Sequence, residues 1–289
     1  MIRHENTQAY SISIPETTGS AIVFASPHSG RAYTKDFRNK SILDLLTLRS
    51  SEDAYVDHFV DALPSHGAPT ICATVPRAFI DLNRAPNELD PALIAGVKSR
   101  GLNPRIASGL GIIPRVVANA RPIYHGKLAL SEAESRIARF WTPYHAALGD
   151  LLNQTHQRWG HSILLDLHSM PNEAVSTFGP KNAQPDIILG DRFGASASQS
   201  IVRALEIALT REGFKVARNA PFAGAYITQR YGRPHSDQHA IQIEINRSLY
   251  LNERTIELSS EFENVKSRLQ NAFQSMISQY GANRNLAAE

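Results

Sequence analysis

Hydrophobic positions in this chain alternate between short unbroken runs and stretches with helical spacing. Ala21-Ile22-Val23-Phe24-Ala25 is continuously apolar, as expected of a strand covered on both faces. It ends at Ser26-Pro27-His28-Ser29-Gly30, a turn-forming stretch. Val56, Phe59, Val60 and Leu63 predict a helix from about Ser51 to Leu63. Thr70 to Val75 and Ala78 to Leu82 read as strands. Residues Asn83 to Leu128 carry Pro86, Pro91, Pro104, Pro114 and Pro122 with little periodicity, and compact domains keep such stretches chiefly for function.

From Ser131 the spacing becomes helical, and Ser131 with Glu134 predicts a capping box. Ile137, Phe140, Trp141, Tyr144, Leu148, Leu151 and Leu152 form its apolar stripe, which Pro143 should kink or split. Ile163-Leu164-Leu165 is a second buried-type strand, ending at Asp166-Leu167-His168-Ser169. Asp186 to Leu189 predicts a further strand, Ala195 to Arg211 a helix stopped by Gly213, and Lys215–Ala217 and Ala225–Thr228 extended segments. Ala240 to Ile245 reads as a strand, followed by a helix from Asn252 to Tyr280 that stops at Gly281. No repeat or linker divides this alternation, so a single α/β domain over residues 1–289 is expected, with helices on both faces of a mostly parallel sheet.

Composition narrows the function. The 289 residues are 42% hydrophobic and 20% charged, ordinary for a soluble globular protein. Thirty basic against 27 acidic residues leave a net charge of +3, spread without a Lys/Arg block. That argues against nucleic acid as a partner and suits a small anionic substrate. Met1 to Ser20 has no apolar core and no later run reaches the ~18 apolar residues of a membrane span, so neither a leader nor a membrane partner is expected. Cys72 is the only cysteine, which excludes a cysteine-rich metal site and makes the cytoplasm the simplest location.

In α/β sheets, ligands bind beyond the carboxyl ends of the strands, where His28 and His168 are expected. One such histidine usually bonds its own loop; two at matching strand ends make a shared zinc ion an even alternative. Asp53, with Glu52 beside it, is the candidate third ligand, but Ser50 and Asp53 also fit a helix cap. In Ile241-Gln242-Ile243-Glu244-Ile245 the isoleucines face one way, so a covered sheet would bury Glu244 and raise its pKa towards that of a general base. Arg77 and Arg84 bracket Ala78-Phe79-Ile80-Asp81-Leu82-Asn83, and arginine suits carboxylate recognition. His235 and His239 have metal-binding helical spacing, but Gly232 and Pro234 predict a loop there. No G-x-S-x-G elbow supports Ser29 or Ser169 as a nucleophile, and Gly109-Leu110-Gly111 lacks the third glycine of a dinucleotide loop.

Taken in order, these segments resemble the N-formylglutamate amidohydrolase family. The likeness runs from Ser26-Pro27-His28-Ser29-Gly30 through Asp53, Ile80-Asp81-Leu82-Asn83-Arg84, Tyr144-His145-Ala146-Ala147-Leu148 and Asp166-Leu167-His168-Ser169. It ends with Pro221-Phe222-Ala223-Gly224-Ala225-Tyr226-Ile227-Thr228 and His239-Ala240-Ile241-Gln242-Ile243-Glu244. The family is related to the zinc carboxypeptidases and aspartoacylase. The resemblance implies a three-layer α/β/α sandwich with a mixed, mostly parallel sheet of about eight strands, and one Zn2+ per chain. It implies His28, Asp53 and His168 as metal ligands, Glu244 as the catalytic carboxylate and Arg77 as the group polarising the scissile carbonyl. Arg84, Asn83, Arg115 and His239 are expected to contact substrate. The implied reaction is hydrolysis of an N-acyl amino acid, foremost N-formyl-L-glutamate to formate and glutamate. A non-catalytic acid-binding member of the fold and a murein-peptide amidase are the alternatives. Arg31 stands where the carboxypeptidase pattern has its ligand glutamate, and Leu167 where deformylases have glycine.

Overall fold

The computed structural model describes residues 1–98, 103–178 and 184–281. Its spine is an eight-stranded sheet built from β1 (Arg3–Asn6), β2 (Tyr10–Ile14), β3 (Ile22–Ser26), β4 (Thr70–Ala73), β5 (Ser162–Met170), β6 (Ile187–Gly190), β7 (Val216–Arg218) and β8 (Gln238–Asn246). The spatial order is β1-β2-β4-β3-β5-β8-β6-β7. The central strands β4, β3, β5 and β8 are mutually parallel, while β2 on one side and β6 on the other join antiparallel. The sheet is therefore mixed, with its parallel part in the middle, where both faces are covered.

Alternation along the central strands assigns each face to its own helices. Ile22, Phe24, Ile163, Leu165, Leu167, Ile241, Ile243 and Ile245 pack against the helices Gln199–Arg211 and Phe262–Gln279. Val23, Ala25, Leu164 and Ala240 pack against the helix Thr142–Trp159 through Tyr144, Leu148, Leu151 and Leu152. The result is the expected three-layer α/β/α sandwich. Among the described residues no helix is long and apolar enough to cross a membrane.

Several local expectations change. The segment 51–63 is not an α-helix: Tyr55 takes a left-handed turn (φ 64°), followed by 3-10 turns at Val56–Phe59 and Leu63–His66. Its apolar residues are buried all the same, since spacings of three and four satisfy either helix type. Residues 78–82 are a turn: the Phe79 and Ile80 amides donate to the Pro76 carbonyl and the Asp81 amide to that of Ile112. The segment Ala225–Thr228 is not extended but opens the helix Tyr226–Tyr231. The helix Leu130–Arg136 starts one residue early on Ala129 with no side-chain cap, so the Ser131/Glu134 box is unused.

Pro143 does not split the helix: the backbone stays helical at Arg136, Ile137, Trp141 and Thr142, and a π-helical turn at Ile137–Trp141 runs straight into Thr142–Trp159. The last helix covers only Phe262–Gln279, because Leu251–Asn252 and Glu257–Leu258 pair as a hairpin. Pro234–Ser236 is a 3-10 turn, as Gly232 and Pro234 predict.

Candidate metal centre

The site forms where the central strands end. After β3 the chain turns through Pro27–Gly30, with the Ser26 hydroxyl donating to Ser29 Oγ at 2.9 Å. Gly30 is obligatory here, since a Cβ would lie 2.1 Å from the Val75 carbonyl oxygen. The Asp53 amide donates to the His28 carbonyl at 3.0 Å, tying the loop after Ser50 to the loop after β3. His168 lies inside β5 rather than beyond it, because the strand runs on to Met170. There it sits directly beside Glu244 of β8, with Asp166 beside Gln242. The parallel register thus places four polar side chains on one face at adjacent positions.

His28, Asp53 and His168 converge, each at most 2% exposed. His168 Nδ1 lies 3.1 Å from His28 Nδ1 and 3.1 Å from Asp53 Oδ2, and His28 Nδ1 lies 3.3 Å from the same oxygen. Ligand atoms bound tetrahedrally to zinc at ~2.0–2.1 Å stand about 3.3 Å apart, so this spacing fits one shared ion.

The outer atoms fit it as well. His28 Nε2 donates to Asp81 Oδ1 at 2.7 Å, and His168 Nε2 to Asp166 Oδ2 at 2.9 Å. The carboxylates accept, so both Nε2 atoms carry a proton and Nδ1 is the atom that each ring turns inward. Asp53 Oδ1 is held by the Ser169 hydroxyl at 3.1 Å and Arg247 Nη2 at 3.0 Å, leaving Oδ2 to the imidazoles. The capping role is therefore absent: Ser50 ends the helix Leu45–Arg49 and Asp53 caps nothing. Glu52 turns away into a pair with Arg49 and accepts from Tyr33, so Asp53 is the carboxylate at the imidazoles.

Burial alone would lower the His168 imidazole, but Asp166 and Asp53 outweigh it and hold it well above the usual imidazole range. Burial would raise Asp53 and Asp81, yet the adjacent imidazoles, joined at Asp81 by Arg77 and Arg84, draw both well below the carboxylate range. Glu244 goes the other way: burial pushes it up, with the Asp53 charge adding, against the pull of His168 and Arg77. The site thus holds one carboxyl that resists ionisation beside two that favour it, the split that marks acid–base sites. Gln242 Nε2 donates to Glu244 Oε1 at 2.7 Å, and Oε2 has no hydrogen-bond partner among the described residues.

The model of the N-formylglutamate amidohydrolase family matches residues 20–251. The chain belongs to that family. It is similar to the N-formylglutamate deformylase of Pseudomonas aeruginosa, 27% identical over 236 residues that cover 81% of this chain and 83% of that protein. The deformylase of Pseudomonas putida is 28% identical over 235 residues, covering 80% and 82%. Among solved structures, an N-formylglutamate amidohydrolase from Ralstonia eutropha JMP134 matches with a TM-score of 0.88 and 34% identity, over 95% of this chain and 99% of that one. The chain is accordingly an amidohydrolase, and its buried His–Asp–His group could hold a metal ion.

In this amidohydrolase Arg77 donates through Nε to Asp81 at 3.1 Å, leaving both Nη groups without a partner among the described residues. Arg84 is more committed: Nε donates to the Leu110 carbonyl and Nη1 to that of Asn83. Asn83 Oδ1 accepts from the Ile227 amide at 2.8 Å, and its Nδ2 lies 3.2 Å from His168 Nε2 and 3.4 Å from Gln242 Oε1. Two expected substrate residues are not brought to the centre. His239 stands at the start of β8, five residues before Glu244 and thus ~16 Å along the strand. Its Nδ1 accepts from the Ser198 amide. Arg115 is held by Asp90 and the Ala107 carbonyl, which contact none of the three converging residues.

Asp81, Asp166, Ser169 and Arg247 support the centre and are not among the expected site residues. Asp166 could have been found, because a residue two before a histidine on a strand shares its face. Asp81 and Arg247 arrive through contacts 53 and 194 residues apart, for which no local signal exists.

Proposed function

We propose that this amidohydrolase hydrolyses N-formyl-L-glutamate to formate and glutamate with one zinc ion per chain held by His28, Asp53 and His168. The observation that carries the metal reading is the pair of inward Nδ1 atoms, each on a ring whose Nε2 proton is committed to a carboxylate. The substrate reading rests on the names of the relatives and on the basic groups at the rim. A zinc ion there supplies a Lewis acid for the amide carbonyl and makes bound water acidic near neutral pH.

The chain's own groups do the rest. Glu244 Oε2 accepts a proton from water and returns it to the departing amine, with Gln242 fixing Oε1. The free Nη groups of Arg77 steady the oxyanion as charge develops, an interaction worth ~3 kcal/mol in comparable sites. Arg84, through an Nη2 with no partner among the described residues, and Asn83 orient the substrate's carboxylate end. Arg115 and His239 have no part in this reading.

The test measures zinc content and formate release together on untagged protein. About one equivalent of zinc with formate released from N-formylglutamate is the expected result. Protein that holds zinc but cleaves only acetylated or succinylated amino acids overturns the substrate. Protein that takes up no divalent ion overturns the metal reading.

A further inference from the structure

Arg247 makes an unusual set of contacts for a residue beyond a strand end. It follows Glu244 by three positions, and its side chain is 12% exposed. Nη2 donates to Asp53 Oδ1 at 3.0 Å, Nε to Ser169 Oγ at 2.9 Å and Nη1 to the Ser50 carbonyl at 3.2 Å. Ser169 Oγ in turn donates to the same Asp53 oxygen at 3.1 Å. Because Nε occupies an acceptor site of that hydroxyl, the hydroxyl proton is left to point at Asp53. Two of the three contacts therefore converge, directly and through Ser169, on one carboxylate oxygen. A residue serving only to join segments would need neither.

We propose that Arg247 is a positioning residue that restricts Asp53 to presenting a single oxygen, Oδ2, to the two imidazoles. Charge-assisted bonds of this kind are about twice as strong as neutral ones, and here one is doubled by a hydroxyl on the same atom. Rotating Asp53 to offer both oxygens would break both. The arrangement also offsets the charge of Asp53 at its outer oxygen, so an ion at the centre keeps more of its own charge. The third contact ties the loop carrying Asp53 to the strand carrying Glu244, so ligand and carboxyl keep a common frame.

The inference rests on the metal reading proposed above, and one experiment separates the two. Zinc affinity by chelator competition and the visible spectrum after cobalt substitution are compared for wild type, Arg247→Met, Arg247→Lys and Ser169→Ala. Arg247→Met should weaken zinc by about 10–100-fold, the usual cost of losing an outer-shell partner. Its cobalt absorption should lose intensity as Asp53 turns both oxygens inward and coordination rises. Ser169→Ala should move both readouts in the same direction by less, and Arg247→Lys should recover part of each. Should Arg247→Met fail to fold, Ser169→Ala decides alone. A cobalt spectrum identical to wild type in the folded variants overturns the proposal, whatever their activity. Wild-type protein that binds neither ion overturns the metal reading instead.

Discussion

The two faces of β5 and β8 are built from the same nine-residue strands but to opposite ends. On one face Leu165 lies beside Ile241 and Leu167 beside Ile243, an aliphatic middle with Ile163 beside His239 at one end and Ile245 beside Ser169 at the other. On the other, Leu164 and Ala240 are apolar, and then Asp166 with His168 and Gln242 with Glu244 follow at the carboxyl half. Both faces are buried, Glu244 being the most exposed of these at 7%. Burial is therefore not what distinguishes the site from the core. The distinction is how each buried group is satisfied: by dispersion and water exclusion on one face, by specific partners on the other.

Breaking the comparison at Glu244 should give the largest effect. Glu244→Gln keeps the shape and the contact with Gln242, so the fold should survive while turnover falls by about 10²–10⁴-fold, or roughly 3–5 kcal/mol of barrier. Steady-state kinetics check this, and unchanged kcat would remove Glu244 as the base. Stability should move the other way. Because the folded pKa is raised, Glu244 contributes stability below its unfolded value of about 4.3, and that contribution is lost as pH rises through the folded value. Metal-free Glu244→Gln should therefore melt above wild type at pH 8, with the gap closing near pH 4.

Leu165→Ala tests the opposite face. Leu165 is fully buried beside Ile241, so truncation should cost about 3 kcal/mol through lost transfer and the cavity left behind. Denaturant unfolding measures the loss. Turnover per folded molecule at low temperature should stay within about twofold, because the side chain points away from the metal centre. Loss of turnover in a fully folded variant would show that the two faces are mechanically coupled.

Much of this division is legible in the order of residues along the chain. Ile22–Ala25, Ile163–Leu165 and Ala240–Ile245 announce buried strands because covered parallel strands need apolar residues on both sides. The break in Ile241-Gln242-Ile243-Glu244-Ile245 marks where the second face turns polar. His28 and Asp53 are legible only as candidates. The Ser50/Asp53 spacing mimics a cap, and only the left-handed turn at Tyr55 shows that no α-helix starts there. Ala78, Ile80 and Leu82 are apolar and buried at every second position, as in a strand, yet the Phe79 and Ile80 amides turn back to the Pro76 carbonyl. Ala225–Thr228 reads as extended because Tyr226, Ile227 and Thr228 favour strands, and packing overrides that preference in the helix Tyr226–Tyr231. The carboxylates behind the ligands depend on folding the chain over itself, which no periodicity records.

The smallest effect sharpens the rule that partners, rather than burial, decide a buried group's charge. His145 is as enclosed as His168, but no carboxylate bonds its ring, and the nearby Arg230 charge adds to the effect of burial. Nε2 donates to the Leu82 carbonyl at 2.9 Å, Nδ1 meets the Tyr231 hydroxyl at 3.0 Å, and Trp141, Tyr144 and Tyr226 surround the ring. Burial pushes its pKa down to about 3, where carboxylates hold His168 up. A histidine with a lowered folded pKa stays neutral in the native state while the unfolded chain takes up the proton. Stability is thus intact above the unfolded value of about 6.5 and falls as the pH drops towards 3, with a loss of about 2 kcal/mol by pH 5. His145→Gln has no such proton to gain. Its unfolding free energy should be lower than wild type at pH 7.5, because the contact with Leu82 is poorer, but should decline less steeply between pH 7 and 5. Urea titrations at four pH values measure the two slopes. Equal slopes would mean that His145 is protonated in the folded protein and that its surroundings do not hold it neutral.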